Sequence, residues 1–92
     1  MSGATYDEAK AFLANYFAEP LRAIGRGGGD LPDDFDFLIE GVMDSLGLLE
    51  MISALESRFG VTLDLEALDA EELTQLGPLC RAVVEKAEGF AG

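Results

Sequence analysis

Apolar residues in this chain recur at spacings of three, four and seven, and glycine and proline cut the pattern into short pieces. That combination points to a small helical protein. Thr5-Tyr6-Asp7-Glu8 has the T-x-x-E form of a capping box, in which side chains satisfy the orphan amides of a helix start. Tyr6, Leu13, Tyr16 and Phe17 then follow at one-face spacing, and Pro20, intolerant of a helix interior, ends helix one near residue 19. The expected span is about 5–19, with Leu21 and Ile24 available for a further turn. Arg26-Gly27-Gly28-Gly29-Asp30 opens a long loop over 25–43, which Phe35, Phe37, Leu38 and Ile39 should pin across the helices. Helix two is expected over about 45–59, with Gly60 as its left-handed cap. Val61, Leu63 and Leu65 alternate in a short extended segment, and Asp69 and Glu72 mark a brief helix three over about 70–75. Gly77-Pro78 opens helix four, about 78–88, with Leu79, Val83, Val84 and Ala87 buried and Gly89 as its stop. The expected class is all-α: four helices, a long first loop and a short third helix.

Ninety-two residues suffice for one domain, expected over 1–92. Apolar residues make up 49% of the chain, which sets it apart from a disordered acidic tail. Six Lys and Arg face 18 Asp and Glu, a net charge of −12 that repels phosphate backbones and anionic membranes and favours basic protein surfaces. There is no histidine, so Ser-His and Cys-His nucleophile pairs and imidazole zinc sites are excluded. The single cysteine, Cys80, reads as a small buried apolar residue on helix four. The acids between Asp30 and Glu40 do not match the calcium-loop spacing of an EF-hand. No signal-like or membrane-spanning stretch is visible, so the expectation is a cytoplasmic protein that performs no catalysis itself.

Helix two carries the functional information. At about 100° per residue, Leu48, Met51, Ile52, Leu55 and Phe59 share one sector, while Leu46 and Leu49 fall on the other side beside Glu50, Ser53 and Ser57. Two leucines on a wet face are either scattered exposed residues or a docking patch. Asp44 and Ser45 have two readings as well. Either can be an N-cap, or a serine at a helix N-terminus can hold a phosphate ester, which the dipole and free amides favour. Gly47 in the first turn is unfavourable for a helix by about 1 kcal/mol against alanine, which suits a close approach there. With no His or Lys nearby the Ser45 hydroxyl is unactivated, so any chemistry on it must be driven by another enzyme.

Gly41-Val42-Met43-Asp44-Ser45-Leu46-Gly47, followed by Leu48-Leu49-Glu50 and Leu55-Glu56-Ser57-Arg58-Phe59-Gly60-Val61, resembles the acyl and peptidyl carrier protein family. The Asp-Ser-Leu core at the start of helix two is similar to that family's phosphopantetheine attachment motif. The resemblance extends over nearly the whole chain and implies a four-helix bundle of the acyl-carrier type. One departure stands out: the commonest form has glycine two residues before the aspartate, whereas Gly41 lies three before Asp44. This form resembles free-standing carriers, among them D-alanyl carriers of teichoic acid and discrete carriers of specialised-metabolite pathways, rather than the housekeeping fatty-acid carrier.

The resemblance implies that Ser45 receives 4′-phosphopantetheine from coenzyme A, through a phosphopantetheinyl transferase and magnesium. The arm's thiol would hold acyl or aminoacyl cargo as a thioester. Leu46 and Leu49 would give apolar contact to partners, Asp44, Glu50 and Glu56 would steer toward their Lys and Arg, and Ser53 would make a weaker contact. Implied partners are the transferase, an adenylating or acyl-transferring loading enzyme and downstream synthases with basic docking surfaces, acting on a monomeric carrier. The leading expectation is a discrete carrier in polyketide or nonribosomal-peptide biosynthesis, with a D-alanyl carrier for teichoic acid as the alternative. An unmodified acidic adaptor or DNA mimic is a second alternative, in which Ser45 is dispensable.

Overall fold

The structure, a computed structural model, describes residues 5–26 and 31–91, with side chains through residue 87. The Gly27–Gly29 run and Asp30 therefore lie outside the described residues. Five helices follow one another: α1 (Tyr6–Tyr16), α2 (Ala18–Ala23), α3 (Ser45–Phe59), α4 (Ala70–Thr74) and α5 (Leu76–Ala91). No strand occurs among the described residues, only an isolated antiparallel bridge between Asp36 and Gln75. The class is all-α.

Thr5 caps α1 as its sequence suggests: the Glu8 N–H donates to Oγ1 of Thr5 at 3.1 Å, and the Thr5 N–H donates to Oε1 of Glu8 at 3.0 Å. The helix stops at Tyr16, short of the expected residue 19. Were it continuous, the Pro20 ring would strike the carbonyl of Tyr16, four residues back. Phe17 leaves helical geometry at φ −102°, ψ 25°, and a separate helix, α2, begins at Ala18 with Pro20 in its first turn, where no N–H is required. Leu21 on α2 is buried, whereas Ile24 is exposed. Expected helix one is thus two helices, and the count is five rather than four.

Gly60 ends α3 in the left-handed region at φ 67°, ψ 34°. Helix α5 begins at Leu76, two residues before the expected start, with Pro78 inside its first turn, and it runs through Gly89 to Ala91. Gly77 is required for packing. Its N–H donates to the Asp33 carbonyl at 2.7 Å, and an added Cβ would stand 2.8 Å from Asp33 Cβ. The Leu76 N–H donates to the Phe35 carbonyl, so the loop is stitched to the start of α5.

Leu13, Phe37, Met51, Leu55, Leu76, Leu79, Cys80 and Val83 are fully buried at the centre. Phe37 stacks on Phe17 at 4.9 Å between centroids and meets Phe35 edge-on at 5.2 Å, which fastens the long loop to the helices. Of the four loop residues expected to pin it, only Phe35 and Phe37 do so; Leu38 and Ile39 are exposed. Tyr16, expected on the buried face, is 41% exposed, and Val84 is only half-buried. Val61 and Leu63 are buried as their alternation predicts, whereas Leu65, the third member, lies in a turn and is exposed.

Candidate functional site

Of Asp44 and Ser45, either of which could cap the helix, Asp44 takes the cap. Asp44 is the N-cap of α3, extended at φ −111°, ψ −172°, and its Oδ1 accepts from the Gly47 N–H at 2.7 Å. Ser45 is the first helical residue and is exposed. Gly47 explains its own presence, because a Cβ there would lie 3.2 Å from Asp44 Oδ1 and 3.3 Å from Met43 Cβ. A side chain at position 47 would press on the capping carboxylate.

An open groove of about 580 Å³ flanks the start of α3, lined by Tyr16, Phe17 and Pro20 and by Gly41–Asp44, Gly47 and Glu50; Ser45 itself is not in its lining. Leu46 and Leu49 are 65% and 52% exposed on the outer face of α3, while Met51, Ile52 and Leu55 face the core. Ser53 and Glu50 are also exposed. Glu56 differs from these: it is half-buried, and its Oε2 accepts from the Leu63 N–H at 2.8 Å, tying α3 to the segment after it. The structure thus brings Asp44, Ser45, Leu46, Leu49 and Glu50 together on the first turns of α3, with Ser53 farther along the helix.

The electrostatics are one-sided. No Lys or Arg occurs between Arg26 and Arg58, so Asp44 and Glu50 meet no basic residue from their own segment. The N-terminal dipole of α3 supplies local positive potential at Ser45 within that acidic field. Cys80 is fully buried, and burial pushes its thiol up to about 12. Among the described residues no side chain hydrogen-bonds to the Ser45 hydroxyl, and no three His, Cys, Asp or Glu could hold a metal ion.

These residues fit a phosphodiester on Ser45 Oγ. The hydroxyl is open to solvent, and among the described residues the Ser45 and Leu46 amides have no protein acceptor. Gly47 leaves the adjoining surface clear of side chain.

Comparison with known proteins gives the class. Residues 18–83 match the family model described as a phosphopantetheine attachment site, and the chain belongs to that family of phosphopantetheine-binding carriers, whose cofactor is covalent 4′-phosphopantetheine. Among curated proteins it is similar to a D-alanyl carrier protein of Streptococcus suis (strain 98HAH33), 38% identical over 52 residues, covering 56% of this chain and 66% of that one. It is likewise 38% identical over 39 residues to a D-alanyl carrier protein of Bacillus velezensis, covering 42% of this chain and 50% of that one. The chain thus spans about half to two thirds of the length of these relatives. No solved structure matches it.

The attachment motif, the acidic loop and the wet face of α3 are readable in the sequence. The groove is not, because it depends on the break at Phe17 and on the path of the loop. Also missed is the turn at 36–41. Its signals were present in Asp36, able to accept from amides two and three residues on, and in Gly41, able to adopt positive φ.

Proposed function

We propose that this chain is a carrier whose Ser45 bears 4′-phosphopantetheine and presents an acyl or aminoacyl group to partner enzymes. The observation carrying the reading is the division of roles at the α3 start. Asp44 takes the cap, which leaves the Ser45 hydroxyl exposed beside first-turn amides and a side-chain-free position 47. When bound, the cofactor supplies a thiol that holds cargo as a thioester. The protein's own work is address and orientation. Leu46 and Leu49 offer apolar contact area, and Asp44 and Glu50 attract Lys and Arg on a partner, raising association rate and selectivity. Ser53 extends this surface. Glu56 adds charge from a carboxylate already held by the Leu63 amide, so its removal affects the fold before it affects docking. The chain acts in the cytoplasm as a monomeric substrate of a phosphopantetheinyl transferase and a loading enzyme. No described helix is long and apolar enough to cross a membrane.

For the cargo, the names of the relatives favour D-alanine over a polyketide or nonribosomal-peptide unit. Loading assays on the phosphopantetheinylated chain separate the two. A D-alanine-adenylating enzyme with ATP should add one D-alanyl group, detected by intact mass. Failure with D-alanine, together with loading by an acyltransferase or an adenylating enzyme for another acid, would return the chain to the specialised-metabolite reading.

A further inference from the structure

The turn at 36–41 presents an apolar tip on a rigid base. Asp36 Oδ1 accepts from the Leu38 and Ile39 N–H groups, both at 2.9 Å, and the Glu40 N–H donates to the Asp36 carbonyl at 2.9 Å. Gly41 closes the turn at φ +80°, and the Phe37 carbonyl accepts from Val42 and Met43. The base is fixed from below. Asp36 Oδ2 accepts from the Thr74 hydroxyl at 2.9 Å, the Phe37 N–H donates to the Thr74 carbonyl, and the Phe37 ring is fully buried. On that base Ile39 is 80% exposed, the highest value among the exposed large apolar residues, and its neighbour Leu38 is 41% exposed.

This tip lies close to the start of α3. Gly41 lines the same groove as Gly47 and Glu50, and two Cα–Cα steps keep Ile39 within about 8 Å of Gly41. Glu40 stands beside Ile39, and the 27–57 stretch holds no Lys or Arg. Charge decides among occupants. A second copy would bring the same acidic field and a further −12 of charge, and an anionic membrane would be repelled. A protein surface with an apolar hollow rimmed by Lys and Arg is complementary in both respects.

We propose that the 36–41 turn is a second docking anchor, with Ile39 seated in an apolar, basic-rimmed hollow on the enzymes that act at Ser45. It rests on the carrier reading. A preformed turn loses little conformational freedom on binding, which suits Ile39 to anchor a short-lived encounter.

Carrier-concentration series with a broad-range phosphopantetheinyl transferase (coenzyme A and magnesium present), and then with the loading enzyme, would compare wild type, Ile39→Ser and Ile39→Leu. Each variant is first checked for an unchanged melting midpoint. For Ile39→Ser we expect KM to rise roughly five- to thirtyfold, as for truncation of an interface anchor, and Ile39→Leu to stay within about twofold of wild type. A wild-type KM for Ile39→Ser with both enzymes would overturn the proposal while leaving the carrier reading intact. A wild-type chain that neither enzyme modifies would overturn both. Concentration-dependent dimerisation in sedimentation, lost in Ile39→Ser, would make a second copy the occupant and also overturn it.

Discussion

Tyr6 donates its hydroxyl to Asp33 Oδ1 at 2.6 Å, joining the first turn of α1 to the loop 27 residues away. The hydrogen bond, then burial and the charge of Asp33, push its pKa from 10.0 up to about 12. Below pH 10 the phenol is protonated in both folded and unfolded chains, and the bond contributes in full. As pH rises from 10 towards about 12 the unfolded chain loses the proton first, so the contribution is lost. Thermal melts should therefore show wild type above Tyr6→Phe at pH 8, with the gap closing above pH 10; a constant gap would contradict the assignment. Cys80 offers a second check, since its buried thiol, pushed up to about 12, should resist a thiol-specific reagent in the native chain. After phosphopantetheinylation one rapidly reacting thiol should appear, and it should persist in Cys80→Ala.

At the scale of elements, the decisive contact is Gly77 against Asp33. The Gly77 N–H reaches the Asp33 carbonyl at 2.7 Å, and an alanine Cβ would sit 2.8 Å from Asp33 Cβ and 3.1 Å from its carbonyl oxygen. Gly77→Ala adds helix propensity but forces loop and helix apart, with a net expected loss of about 1–3 kcal/mol. In a domain of this size each kcal/mol lowers Tm by roughly 4–8 °C, so calorimetry resolves the effect. An unchanged Tm would mean that the loop yields freely. The same contact shows what local pattern conveys and what it does not. The Thr5–Glu8 box, the Gly60 cap and the buried stripe of α3 depend on residues a few positions apart, and all were legible. Tyr6–Asp33, Asp36–Thr74 and Gly77–Asp33 join residues far apart in sequence, and no periodicity encodes them. The sequence alone leaves the end of helix one too far along, because Pro20 marks a boundary without fixing it: the clash acts four residues back, on Tyr16. Hydropathy alone suggests burial of Leu38 and Ile39, whereas the turn organised by Asp36 holds them outside.

For the whole molecule, a buried interior holds the shape, and the exposed start of α3 is the face proposed to meet partner enzymes. Phe17, Phe35 and Phe37 fix the loop, and the loop with the first turns of α3 lines the groove at Asp44, Gly47 and Glu50. Most of the candidate site was legible because Asp44, Ser45, Leu46, Leu49 and Glu50 lie within seven consecutive residues of one helix start. The groove and the Ile39 turn were not, since both require the tertiary path of the loop. Under the proposed docking mode, acidic charge over this face would make association sensitive to salt, and the exposed apolar residues would set how long a complex lasts. The central claim is that Ser45 is the hydroxyl to which phosphopantetheine is joined. Intact mass after incubation with coenzyme A, magnesium and a broad-range phosphopantetheinyl transferase tests it, with Ser45→Ala run alongside. The expected result is a gain of one phosphopantetheine on wild type and none on the variant. An equal gain on both, or none on folded wild type with either this or the cognate transferase, would contradict it.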